Sequence, residues 1–375
     1  MRFSLIILFI SASVSLAAQS RYLNDDEVVK IAKEAYIYGY PMVENYRIMY
    51  SSTQDTSYRQ YAPFNQFYHA RSVSSPDDTM FVAPNVDTPY SYAVLNIKDE
   101  PVVITIPEFE PGRFVGVPLY DLYTHVIYTI SPKNHGNKGG NFLIANERWK
   151  GAVPDNITKI IRSESDLIYV LIRTQLFNNE DLPNVIALQS KYRINTLSAF
   201  TGNIAPATTG LNLELPLAPQ NPFSKPDVRF FTLLNSLLQL TTPHQSEKEL
   251  LKKFASIGIV QGMQFPASDE HRKKLLEEGI RQGQASLVAY LPSIKSSAEI
   301  FGSREYLKNN YLGRAVGAWT GIYANEADVF LGIQGVDRQS NGKPFTGDKN
   351  YSMTFAPGGF PPVDAFWSIT LYNLP

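Results

Sequence analysis

The chain has no cysteine in its 375 residues. Disulfides, thiolate nucleophiles and cysteine-ligated metals are therefore excluded, and stability has to come from buried apolar surface. An excess of one charge is also missing: 34 Lys and Arg against 35 Asp and Glu leave a formal net charge of −1. Nothing here builds the basic field that holds nucleic-acid phosphates or an anionic lipid surface, so neither partner is expected. No apolar run reaches the ~18 residues a membrane-spanning helix requires. The chain also lacks a Gly-x-Ser-x-Gly elbow, a His-Glu-x-x-His pair, a phosphate-binding glycine loop and an EF-hand loop. Its five histidines, His69, His125, His135, His244 and His271, include no pair at a helix-ligand spacing. No metal site follows from these patterns, and no cofactor is named by them.

What is present begins with an address. Arg2 precedes the apolar run Phe3–Ile10, and small residues lead to Ser15-Leu16-Ala17. This is the pattern of a secretory signal peptide over residues 1–17, with cleavage expected between Ala17 and Ala18. The expected product is secreted, or periplasmic if the source is bacterial, with no membrane segment in its mature form. Asn156 with Thr158 and Asn350 with Ser352 form glycosylation sequons, used only in a eukaryotic host.

The periodicity then separates helices from strands. Asn24 and Glu27 have the spacing of a capping box. Val28, Ala32, Ala35, Gly39, Met42, Tyr46 and Met49 give one apolar stripe, which Pro41 is expected to kink or break. Residues 24–60 thus read as an N-terminal helical segment. Short β-branched and aromatic runs follow at Tyr90–Ile97, Val102–Ile106, Arg113–Val117, Tyr123–Ser131, Asn141–Ala145 and Leu167–Thr174. Turn-forming clusters separate them, so residues 61–200 predict an antiparallel β-sandwich closed by a helix over Pro183–Phe200. Residues 201–226 read as a linker, and 227–330 as a helical domain whose last helix covers about 305–323. Strand-like runs return at Tyr351–Phe355 and Ala365–Tyr372. The apolar stripe of the first helix is expected to pack on the helices of 227–330.

The densest polar segment is Ser75–Tyr90, which contains Asp77, Asp78, Asn85, Asp87, Thr88, Pro89 and Tyr90. Two readings stand side by side. Asn85 and Asp87 can bond their own backbone and form turns that need no ligand. Alternatively Asp87 acts as an acid, base or oxygen ligand while Asn85, Thr88 and Tyr90 orient a polar substrate. His69, beside Arg71, is the candidate catalytic histidine if the chain folds back toward Asp87; Asp78 completes that set. Arg173 is a candidate ligand contact, although buried Arg173 and Gln189 that tie sheet to helix explain the same residues.

Asp87-Thr88-Pro89-Tyr90, Gly140-Asn141-Phe142-Leu143-Ile144, Trp149-Lys150-Gly151-Ala152-Val153-Pro154, Arg173-Thr174 and Gln189 resemble domain of unknown function 1254. Tyr311-Leu312-Gly313-Arg314-Ala315, Pro361-Pro362 and Phe366-Trp367-Ser368 resemble domain of unknown function 1214, which follows it. The resemblance implies an α+β protein: an immunoglobulin-like sandwich, a helical middle, and a C-terminal jelly roll over 331–375 that stops short of its usual extent. It implies no reaction. The leading expectation is binding of a polar small molecule or glycan in an aromatic and acidic cleft. A cofactor-free or metal-assisted hydrolase using Asp87 and His69 is the alternative. A structural, assembling role is the third, and a homo-oligomer stays open.

Overall fold

The structure is a computed structural model that describes residues 23–75, 86–205, 221–333, 335–337, 342–343 and 345–370. Asp78, Asn85, the cleavage site at Ala17 and Ala18, and most of the expected linker lie outside the described residues. The described chain is mixed α+β. Helix α1 (Asp25–Gln54) is followed by strands β1 (Tyr68–His69), β2 (Tyr90–Asn96), β3 (Val102–Ile106), β4 (Val115–Tyr120) and β5 (Val126–Ile130). After a short α2 (Pro132–His135) come β6 (Gly140–Asn146), β7 (Lys159–Ser163), β8 (Leu167–Thr174), α3 (Leu182–Gln189), β9 (Arg193–Thr196) and α4 (Leu197–Thr201). Helices α5 (Arg229–Leu238), α6 (Lys248–Ala255), α7 (Glu270–Tyr290), α8 (Arg304–Leu307) and α9 (Tyr311–Thr320) complete the order.

The strands form two sheets. One is antiparallel with order β1-β2-β8-β4-β5; the other, β7-β6-β3-β9, is antiparallel except for the parallel pair β6 and β7. Alternate side chains of a strand point to opposite faces. Ala93, Leu95, Val115, Val117, Ile168, Val170 and Ile172 therefore meet Val102, Ile104, Phe142 and Ile144 of the second sheet in one apolar core. The other face of the five-stranded sheet sends Tyr92, Val94, Tyr120, Tyr169 and Leu171 into a larger core shared with the helices.

Helix α1 runs through that larger core. The Asn24 and Glu27 capping box forms as its spacing predicts, each side chain meeting the other's backbone N–H. Pro41 does not end the helix, which continues through it to Gln54. Tyr36, Tyr38, Tyr40, Met42, Tyr46 and Met49 are all buried, and packing on several sides holds the turn whose hydrogen bond Pro41 removes. Its neighbours are α7, α9, α5, α6 and β2.

Three expectations are corrected. Pro183–Phe200 is not one helix: α3 stops at Gln189, and Arg193–Thr196 instead fills the free edge of β3. The helix expected over 305–323 is two, α8 and α9, with Asn310 capping the second. Residues 345–370 carry no strand, so the runs at Tyr351–Phe355 and in the described part of Ala365–Tyr372 lie without a ladder. Alternation makes a strand only where an edge is free to pair, and among the described residues this segment pairs with none.

Close helix contact generates the first prediction. A Cβ on Gly279 of α7 would stand 2.5 Å from Ala32 Cβ and 2.8 Å from the Val29 carbonyl oxygen of α1. Gly279→Ala should lower unfolding free energy by about 1–3 kcal/mol, as overpacking does. Gly347→Ala, whose Cβ would meet nothing within 4 Å, should leave it within ~0.5 kcal/mol. Urea unfolding midpoints compare the two.

Candidate functional site

Parity along β8 decides what can share a site. Tyr169, Leu171 and Arg173 face the helices, while Ile168, Val170 and Ile172 face the second sheet. Tyr90 lies directly opposite Arg173 on β2, and Gly116 opposite it on β4. Arg173 is 5% exposed. Its guanidinium carbon sits 5.7 Å from the centre of the Tyr90 ring and 5.9 Å from that of Phe330. Nη1 donates to Asn325 Oδ1 at 2.7 Å, and Nη2 donates to the Tyr323 carbonyl at 3.1 Å. The Tyr120 hydroxyl donates to the same Asn325 oxygen at 3.3 Å. Burial works against the charge on Arg173, but the phenols of Tyr120 and Tyr90 outweigh it and raise its pKa.

The electrostatics of this corner differ from the rest of the protein. Three arginines are buried among the described residues: Arg113, Arg173 and Arg314. Arg113 pairs with Asp181 at 2.8 Å, and that bond holds the Asp181 carboxyl down at about 2. Arg314 reaches Asp121 through His125. Among the described residues Arg173 meets neutral acceptors, phenols and rings. Burying an ion without a counter-ion costs several kcal/mol, against roughly 0.5–2 kcal/mol for each ring contact. Asn325, 1% exposed, leaves its Nδ2 donor without a hydrogen bond, and so does the Thr88 hydroxyl, also 1% exposed.

The other expected residues fall around this corner or away from it. The Ser368 hydroxyl donates to Asp87 Oδ2 at 2.6 Å, and Phe366 packs edge-on to Phe114 at 6.4 Å. The two motif-bearing segments thus touch at Asp87. Gln189 donates to the carbonyls of Ala70 and Tyr90 and accepts from Arg71, tying α3 to the sheet. His69 is elsewhere. It pairs in register with Ser91, bonds the Ser91 hydroxyl through Nδ1 at 2.7 Å, and lies near the rings of Phe67 and Tyr192 on the side of the second sheet. Burial pushes its pKa down to about 4. No hydrogen bond joins His69 to Asp87, and the sheet separates it from Tyr90 and Arg173. Asn156 and Asn350 are both exposed. Among the described residues no three His, Asp or Glu side chains cluster as a metal ion requires, and no helix is long and apolar enough to cross a membrane.

A second polar centre is sealed. Arg314 Nη1 donates to His125 Nε2 at 2.8 Å, which leaves the ring proton on Nδ1, facing Asp121 Oδ2 at 3.2 Å. Burial pushes His125 down to about 4, so the ring is neutral. Arg304 contacts Glu247 and Glu164 at 2.6 Å each, and Tyr38 donates to Glu247. Burial lifts the Glu164 carboxyl to about 7 despite Arg304 beside it. Elsewhere, a cavity of about 10 Å³ lined by Gln60, Tyr92 and Tyr169 has space for one water, too little for a metabolite.

Asn325, Phe330, Tyr323 and Tyr120 escaped the sequence reading. Asn325 reaches Arg173 across 152 positions, and no local spacing signals such a contact.

Two predictions follow from these geometries. Asp87→Ala or Ser368→Ala should speed hydrogen exchange in residues 360–370 about fivefold, the equivalent of ~1 kcal/mol for one hydrogen bond; unchanged exchange would mean the segment is held otherwise. The pH dependence separates His125 from Glu164. Folded His125 binds its proton less readily than the unfolded chain, so its contribution is complete above about 6.5 and is lost as pH falls toward 4. Glu164 runs the other way, its contribution fading as pH rises from about 4.5 to 7. Glu164→Gln should therefore steepen the loss of stability between pH 7 and 5 by about 2 kcal/mol, read from urea midpoints at several pH values.

Comparison with known proteins bears on family and fold. Residues 64–196 match the family model described as Protein of unknown function (DUF1254), and residues 334–375 match Protein of unknown function (DUF1214). No match was found among curated proteins. Among solved structures, the VPA0106 protein from Vibrio parahaemolyticus is similar at 24% identity and a TM-score of 0.66, over 80% of this chain and 69% of that one. That likeness shows a shared fold. An uncharacterised protein from Burkholderia cenocepacia aligns over 72% of this chain and 59% of its own at 12% identity, with a TM-score of 0.28. The chain thus carries two modules in order, DUF1254 and then DUF1214.

Proposed function

We propose that the protein is a secreted binding protein for a polar small molecule or glycan, held at the corner where Tyr90 and Arg173 meet Asn325 and Phe330. One observation carries this reading. The buried Arg173 guanidinium lies 5.7 and 5.9 Å from two aromatic ring centres, with an unused amide donor beside it and no carboxylate partner among the described residues. Aromatic faces with a few convergent polar groups are the usual make-up of a small-molecule site. The hydrolase alternative draws no support from a geometry in which His69 bonds Ser91 and Asp87 bonds Ser368.

The same reading takes the two sheets as an immunoglobulin-like sandwich, since they share one apolar core. It keeps α1 with the helical domain of 227–330, on whose helices it packs. The jelly roll expected of 331–375 has weaker support, because residues 345–370 carry no strand.

A panel of glycans and polar metabolites, screened by thermal shift on the mature chain, tests the proposal. Ligands that raise the melting temperature of the wild type should fail to do so for Arg173→Gln, while His69→Ala keeps the response. Equal responses from wild type and Arg173→Gln would place the site elsewhere.

A further inference from the structure

We propose that the group Arg173 and Asn325 receive is a carboxylate, so that the ligand is an organic acid rather than a neutral sugar. This rests on the binding reading above and narrows it. The argument is one of missing charge. Arg113 has Asp181, and Arg314 reaches Asp121 through His125. Arg173 is as deeply placed and, among the described residues, meets neutral groups: Asn325 Oδ1, the Tyr323 carbonyl, the phenols of Tyr120 and Tyr90, and the Phe330 ring. A planar guanidinium favours a planar two-oxygen acceptor, and Asn325 Nδ2 adds an unused N–H donor on the side chain already bound to it. One carboxylate supplies both the negative charge and the second acceptor oxygen. Phe330 is the member of this group that is well exposed, at 39%, whereas Tyr90, Tyr323 and Asn325 are buried. Phe330 thus marks the solvent-facing side of the group, and on this proposal an acid carrying an aromatic or apolar body would enter past it.

The test replaces the ligand's charge with one from the protein. Asn325→Asp sets a carboxylate where Oδ1 now lies 2.7 Å from Arg173 Nη1. At fixed pH and ionic strength, sodium acetate and sodium benzoate should raise the melting temperature of the wild type. Acetamide and benzamide should not. Asn325→Asp should melt about 2–4 °C above the wild type without ligand and ignore both acids; Arg173→Gln should ignore them with no such gain. The inference is overturned if the acids leave the wild type unmoved, if Arg173→Gln still responds, or if Asn325→Asp melts below the wild type. A neutral glycan that stabilises the wild type but not Arg173→Gln would overturn the carboxylate and leave the binding site standing. A panel in which nothing distinguishes these two chains would remove both.

Discussion

The five-stranded sheet is buried on both faces, and the rest of the structure is arranged by that constraint. A strand covered on both sides must alternate between two apolar environments, and β8 does so residue by residue: Ile168, Val170 and Ile172 toward the second sheet, Tyr169 and Leu171 toward the helices. The two cores differ in kind. The one between the sheets is packed by aliphatic side chains, whereas the helix side is rich in tyrosine. Tyr169 stacks on Tyr323 at 4.0 Å, and Tyr120 lies 5.0 Å from Tyr323. Each buried phenol brings a hydroxyl that needs a partner, so the polar groups of the interior collect on this side. Arg173 joins them because it is odd-numbered on β8, and His69 is excluded because it pairs with Ser91 rather than with Tyr90's face.

The sealed centre around His125 shows how the protein handles charge inside this tyrosine-rich core. A neutral imidazole between Arg314 and Asp121 lets a cation and an anion share a proton-bearing bridge without direct contact. Arg304 closes a second arm with Glu247, and Tyr38 binds the same carboxylate from α1. Sheet, first helix and last helices are thus joined by groups whose charges largely compensate, which a low-dielectric interior requires. That compensation reads as structural support, since His125, Asp121 and Arg314 have no route to solvent: each is at most 2% exposed.

The sequence was most readable where local pattern and tertiary environment agree. β3 and β8 match the alternating runs residue for residue, and the Asn24 cap marks the start of α1. It was least readable where an element exists only because a distant edge was open. Arg193–Thr196 has no strand signal of its own and becomes β9 by pairing with β3. The candidate site divides in the same way. Tyr90 and Arg173 were found through their motifs and do lie opposite each other. The pairing of His69 with Asp87 failed because proximity in sequence says nothing about which face of a sheet a residue takes, and a single position reverses it. Asn325 and Phe330 were invisible, being brought to Arg173 by the packing of residues that follow α9.

These two polar centres, side by side in one core, bear on whether Arg173 is merely another tie. A tie selected for stability would be expected to resemble Arg113 or Arg304, with a carboxylate on the guanidinium. Asn325 stands at that position and supplies the shape of such a partner without its charge. On the proposed reading, neutral asparagine beside a buried cation gives up stability in the empty protein and leaves the charge of Arg173 to be met by an incoming anion. Stability given up at one buried position, beside an unused donor, is the pattern by which a binding site differs from a structural ion pair.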